Sequence, residues 1–128
     1  MKTILVDAIN GLILEDGTIF QAMLEMLEKY PNDKIVLTGA NDEQFKKFNL
    51  DKSPYPVFTL KHDPEKTDPA YFRQLLANYS LNTEDVVYFE HNTDAVKSAE
   101  SVGIKTYFYD HTKEDIESLK LFIDSCLQ

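Results

Sequence analysis

Short apolar runs alternate along this chain with longer stretches in which apolar residues recur every three or four positions. The first pattern belongs to strands buried on both faces, the second to helices that pack on one side. Thr3 to Val6 is such a run, and it ends abruptly on Asp7. Asn10-Gly11 and Asp16-Gly17 are turn dipeptides on either side of Leu12-Ile13-Leu14, the pattern of a small hairpin or flap. Phe20, Met23, Leu24 and Leu27 then predict a helix over residues 19–30, stopped by Pro31-Asn32-Asp33. Ile35-Val36-Leu37 is a second strand, closing on Thr38-Gly39. Asn41 to Gln44 reads as a helix start, with Phe45 and Phe48 on one face. A third strand is expected over residues 55–60, confined to a sheet edge by Pro56.

Asp68-Pro69 supplies an N-cap and a first-turn proline for a helix carrying Phe72, Leu75, Leu76 and Tyr79. Val86 to Phe89 is a fourth strand ending at Glu90-His91. A helix over residues 94–102 follows, with Val96, Ala99 and Val102, and then Gly103. Ile104 to Tyr109 is the fifth strand, and a last helix starts near Lys113 with Ile116, Leu119, Ile123 and Leu127 on one face. Strands alternating with helices at these spacings predict a three-layer α/β domain, a parallel five-stranded sheet covered on both faces through right-handed crossovers. No repeat, low-complexity tract or linker interrupts it, so residues 1–128 read as one domain.

Composition narrows the partners. The chain has 128 residues, 43% of them hydrophobic, enough to form a single core without disulfides or a structural metal. Its 22 acidic and 13 basic residues give a formal charge of −9, which repels nucleic acid and anionic lipid and argues against either as a partner. The N-terminus carries one lysine and a short apolar run before Asp7, too little for a signal peptide or a membrane span, so a cytoplasmic location is expected. The single cysteine, Cys126, has no partner and reads as a bystander.

In sheets of this kind ligands bind beyond the carboxyl ends of the strands. Standing there are Asp7, Thr38-Gly39-Ala40-Asn41 and Glu90-His91-Asn92, with Lys66 just ahead of the helix that begins at Pro69. A carboxylate, a hydroxyl, helix-start amides and a lysine are the parts a phosphate site needs. Each also has a plain structural reading. Asp7 can form a turn, Thr38 can cap a helix, Lys66 can be a solvated charge, and His91 can be a hydrogen-bonded loop residue, a metal ligand or a general base. Asp94 suits an early helical position favoured by the macrodipole. His62 and His111 lack ligand spacing and are expected to be exposed; Tyr55, Tyr107, Phe108 and Tyr109 are expected to pack.

Asp7-Ala8-Ile9-Asn10-Gly11-Leu12, Thr38-Gly39 and the stretch from Lys66 to Asp110, with its TDPAYF, VVYFEHNTD and SAESVGI segments, resemble in this order the four motifs of the haloacid dehalogenase-like (HAD) superfamily. The resemblance covers essentially the whole chain. It implies a Rossmann-like α/β/α HAD fold without a cap domain, since residues 39–65 have room only for a short helix and an edge strand. It further implies Asp7 as the nucleophile that forms an aspartyl-phosphate, Thr38-Gly39 as the phosphoryl-binding turn, and Lys66 as the cation stabilising both. A divalent ion would be held by Asp7, the Ile9 carbonyl, and Glu90 or His91: Mg²⁺, or a transition metal if His91 is a ligand.

Three positions depart from the family pattern. Ile9 stands where the second aspartate, the general acid and base, belongs; Gly11 replaces a threonine, giving up its hydroxyl but keeping a flexible turn; and His91 replaces an acid of the fourth motif. Capless members of the superfamily act on large substrates or borrow a neighbouring subunit, which implies a macromolecular phosphorylated partner or a homo-oligomer. Two functions stay open from this reading: a phosphatase-type hydrolase working through Asp7, slowed by the loss at Ile9, or an inactive domain that binds a phospho-ligand or a partner protein. A purely structural domain is the third reading.

Overall fold

The computed structural model describes residues 1–128 as an α/β domain of three layers. Five strands, β1 (Thr3–Asp7), β2 (Lys34–Thr38), β3 (Val57–Thr59), β4 (Val86–Glu90) and β5 (Lys105–Phe108), form one sheet in the order β3-β2-β1-β4-β5. Every pairing is parallel. The three central strands are buried along their whole length, which is why TILV, IVL and VVYF carry no polar alternation. The edge strands are not so covered, and the chain writes them differently: three residues after Pro56 for β3, and the mixed KTYF for β5.

Successive side chains of a strand point to opposite faces, and the core divides accordingly. Ile4 and Val6, Val36, and Val87 and Phe89 pack with α1 (Gln21–Leu27) and α5 (Ile116–Leu127) on one face. Leu5, Ile35 and Leu37, and Val86 and Tyr88 pack with α3 (Pro69–Asn78) and α4 (Thr93–Ser101) on the other. The fifth helix, α2 (Asp42–Lys47), is a short connection between β2 and β3. No domain is inserted between these elements.

Element ends differ from the hydrophobic pattern where local chemistry intervenes. α1 starts at Gln21 rather than Ile19, because Ile19 bridges to Ile13 and the extended Phe20 donates its amide to Leu12 O at 2.8 Å. α5 begins at Ile116, three residues late. Glu114 sits in the left-handed region (φ 48°), and the Asp115 side chain caps the helix by accepting from Ser118 N–H at 3.1 Å. The Asn41 capping box and the Asp68 cap with Pro69 behind it form as expected. The segment after Asp7 is a flap held by two isolated bridges, with Leu12 and Ile13 buried.

Two other expectations need amendment. Tyr109 is buried, and Tyr55 and Tyr107 pack against the core, but Phe108 is 46% exposed on the edge strand. Gly11 is more than a flexible turn: a Cβ there would lie 2.3 Å from the Asp7 carbonyl oxygen, so no side chain fits, threonine included. Cys126 is a free thiol within the α1/α5 core, and no helix is long and apolar enough to cross a membrane.

Tyr71 of α3 ties this layer to the strand ends. Its buried hydroxyl accepts from Thr38 N–H at 3.1 Å and donates to Thr38 O at 2.8 Å, with Phe58 O at 3.0 Å. Replacing it by phenylalanine keeps the ring and removes the hydroxyl that meets Thr38 N–H, Thr38 O and Phe58 O at once. Tyr71→Phe is therefore expected to cost about 1–3 kcal/mol, the penalty for buried polar groups that lose a partner, measured by urea unfolding. A cost near zero would mean that the hydroxyl does not hold this junction.

Candidate functional site

The alternation that builds the core also builds the site. Asp7 follows Leu5, and Glu90 follows Tyr88, on the face covered by α3 and α4. Because β1 and β4 are neighbours in register, with Val6 opposite Phe89, the two carboxylates end side by side at the carboxyl edge of the sheet. Both are buried, Asp7 with 1% and Glu90 with none of its side chain exposed. Lys66, just ahead of α3, drops between them. Its Nζ donates to Asp7 Oδ1 at 2.9 Å and to Glu90 Oε1 at 2.7 Å.

Each remaining carboxylate oxygen has its own donor. Asp7 Oδ2 accepts from the His91 backbone N–H at 3.0 Å and contacts His91 Nδ1. Glu90 Oε2 accepts from Asn92 N–H at 3.1 Å and lies 3.3 Å from the same Nδ1. The Tyr88 hydroxyl donates to Glu90 Oε1.

These contacts set the charges. Burial alone pulls the Lys66 ammonium down, but Asp7 and Glu90 outweigh it and hold the group well above the usual lysine range. Burial pushes Glu90 up, yet Lys66 and the hydrogen bonds win and keep it below the usual carboxylate range. For Asp7, burial and the neighbouring Glu90 charge together push the carboxyl upward against Lys66 and His91. The hydrogen bonds to Asp7 and Glu90 raise His91 to about 10. The cluster thus favours a charged Lys66, Glu90 and His91, with the Asp7 carboxyl the member pushed toward its neutral form.

Beside it lies a pocket of about 150 Å³, lined by Ile9, Thr38, Gly39, Ala40, Gln44, Phe48 and His62. The Thr38 hydroxyl accepts from Ala40 N–H at 3.1 Å and closes a tight turn; it does not cap α2, which Asn41 does. The donors on this lining that find no acceptor in the chain include the hydroxyl hydrogen of Thr38 and the backbone N–H groups of Ile9 and Gly39. Ile9 presents only an apolar side chain there. A larger pocket, about 400 Å³, lies at the opposite end of the strands against Asn32, Lys34, Tyr55 and Pro56, and none of the strand-end residues reaches it.

Of the residues singled out in the sequence, Asp7, Lys66, Glu90 and His91 form one cluster, with Thr38, Gly39 and Ile9 on the adjoining pocket. Asp94 is exposed in the first turn of α4, outside the cluster. One histidine differs from expectation. His111 is half-buried, its ring edge-on to that of His91 with centroids 5.0 Å apart. His62 is exposed, as expected, and lines the pocket, held by Glu65 at 2.9 Å and by Gln44. Tyr88 joins the cluster from within an apolar run; its place two residues before Glu90, which puts both on one sheet face, is its only sequence signal. His62 gave no sequence signal, because the loop after β3 brings it back.

Asp7, Glu90 and His91 offer ligand atoms within 4.8 Å of one another, the spacing of a cation site. Mg²⁺ asks for near-octahedral oxygen coordination. Here the four carboxylate oxygens already accept hydrogen bonds, and the third donor is an imidazole. The set does not fit Mg²⁺.

No protein-family model matches the chain. Over 115 residues it is 27% identical to drimenol cyclase drtB of Aspergillus calidoustus, an alignment that takes in 78% of this chain and 20% of the cyclase. The chain thus spans about a fifth of that relative's length. In fold it is similar to the crystal structure of an uncharacterized protein from Corynebacterium glutamicum, with a TM-score of 0.65 over 95% of each chain and 18% identity. At that identity the likeness is one of fold.

The raised His91 pKa has a measurable sign. A group raised in the folded state stabilises fully below its unfolded pKa of about 6.5, and that contribution is lost as pH climbs through the folded value. The His91 ring is therefore expected to titrate near pH 10 by NMR. Wild type should lose more stability between neutrality and about pH 10 than His91→Gln does. A ring titrating in the ordinary histidine range would refute the ion pair with Asp7.

Proposed function

We propose that Asp7 is the centre of a phosphoryl-transfer site of the haloacid dehalogenase-like kind, acting as a phosphohydrolase on phosphate monoesters with good leaving groups. The observation that carries this reading is the gathering of unpartnered donors near Asp7, the Thr38 hydroxyl and the Gly39 and Ile9 amides, beside the Lys66 ammonium that already pairs with Asp7. Donors collected beyond the ends of parallel strands suit an anion, and a phosphoryl group needs several at once.

In the reaction, an Asp7 carboxylate oxygen attacks phosphorus, and the ester P–O bond breaks with its electron pair going to the leaving oxygen. Water then attacks the aspartyl-phosphate, releasing phosphate and restoring Asp7. Thr38 and Gly39 hold the equatorial oxygens, and Lys66 offsets their charge. Ile9 can neither protonate the leaving group nor activate water. That confines useful rates to leaving groups that depart as stable anions, at a disadvantage of about 10²–10⁴ for poorer ones. With no domain inserted over the strand ends, the open rim suits phosphate borne by a larger molecule.

A second reading, binding of a phosphorylated ligand without turnover, is favoured by one observation. Asp7 is 1% exposed, with both oxygens engaged, so attack requires it to give up a partner. Hydrolysis of an aryl phosphate separates the two. Wild type is expected to turn it over, and Asp7→Asn to lose at least about 10²-fold in kcat, as a removed nucleophile requires. Turnover that survives Asp7→Asn would rule out an aspartyl-phosphate; phosphate binding with no turnover would establish the second reading.

A further inference from the structure

The Asp7 cluster has the outline of a divalent-cation site whose central position is already taken. Lys66 serves Asp7 Oδ1 and Glu90 Oε1, which leaves Asp7 Oδ2 and Glu90 Oε2 as the oxygens a bridging ion would use. His91 Nδ1 lies against both, in contact with the first and 3.3 Å from the second. We propose that the Nδ1–H of His91 occupies the bridging place of a metal, so that this site holds its phosphoryl group without a divalent ion. The proposal rests on the phosphoryl reading of the Asp7 cluster, but the test of its metal part uses no turnover.

Three observations support it. Nδ1 can donate in either the neutral Nδ1–H tautomer or the imidazolium, so the bridge does not hang on one protonation state. The same residue grips Asp7 Oδ2 twice, through its ring and its backbone N–H, which fixes the ring in place. The His111 ring packs edge-on against it from outside. A metal entering here has to expel the ring from two buried carboxylates and then accept an imidazole or a displaced oxygen in its coordination, against the preference of Mg²⁺.

Charge makes the converse testable. With a carboxylate at position 91, three acids would face one lysine, an excess of negative charge that a divalent cation neutralises. Mn²⁺ titration by EPR and calorimetry is to be run on wild type and on His91→Asp, with NMR of the wild-type His91 ring as a second measurement. Wild type is expected to show no saturable Mn²⁺ binding at millimolar concentration and no paramagnetic broadening of the ring. His91→Asp is expected to bind Mn²⁺ on the order of 10–100-fold more tightly, the range over which a residue beside a metal ligand commonly moves affinity. Mg²⁺ should displace the Mn²⁺.

Saturable binding to wild type with broadening of the His91 ring would overturn the proposal. So would a His91→Asp protein that is folded by circular dichroism yet binds no more tightly than wild type. If that variant does not fold, the wild-type ring spectrum decides alone, broadened against the proposal and unbroadened for it. Calorimetry with inorganic phosphate, in chelator and in Mg²⁺, is expected to give one affinity in both. Phosphate binding only with Mg²⁺ overturns the proposal. Absence of phosphate binding in both media tells against the phosphoryl reading, while the Mn²⁺ result still decides whether His91 holds the metal's place.

Discussion

Two carboxylates buried side by side at the ends of adjacent parallel strands cannot both keep their charge without a cation between them, and Lys66 is that cation. Removing one partner from such a group typically costs 3–5 kcal/mol, because the others stay buried and uncompensated. The requirement reaches well beyond the three residues. It holds the segment ahead of α3 against the sheet, two residues before the Asp68 cap at which that helix starts. It also places buried charge at the carboxyl edge of β1 and β4, in a core that is mainly apolar. Everything else in the domain can be understood as ordinary α/β packing around this single exception.

The ordinary part was legible along the chain. Three doubly buried strands announce themselves as unbroken apolar runs, and Asp68-Pro69 announces a helix start, so the five strands and their order of alternation with helices could be read directly. Boundaries were less legible where a turn outweighed periodicity, as at Phe20 and Glu114. The site was legible as positions but not as geometry. Asp7, Thr38, Lys66, Glu90 and His91 stand out because they interrupt apolar runs or flank caps. That Asp7 and Glu90 share a sheet face follows from counting residues in register. That His91 turns inward and His62 returns to the pocket depends on loop conformation, which no periodicity encodes.

The three positions at which the sequence departs from the motifs it resembles all border Asp7 or the adjoining pocket. Gly11 lies so close to the Asp7 backbone that the flap can close only with hydrogen at that position. Ile9 turns an apolar side chain to the pocket. His91 brings a ring nitrogen against Asp7 Oδ2. Together they leave the surroundings of Asp7 with a close backbone approach, an apolar wall and an imidazole.

The Tyr71 hydroxyl and the Lys66 ammonium lie five residues apart, one inside α3 and the other just ahead of it. The first grips the peptide on which the Thr38 turn is built; the second grips the carboxylates. The helix is thus a single lever with two hands on the site. Any tilt or slide of α3 moves the ammonium and the Thr38 turn together, so the two halves of the site keep their spacing only as long as that helix keeps its place.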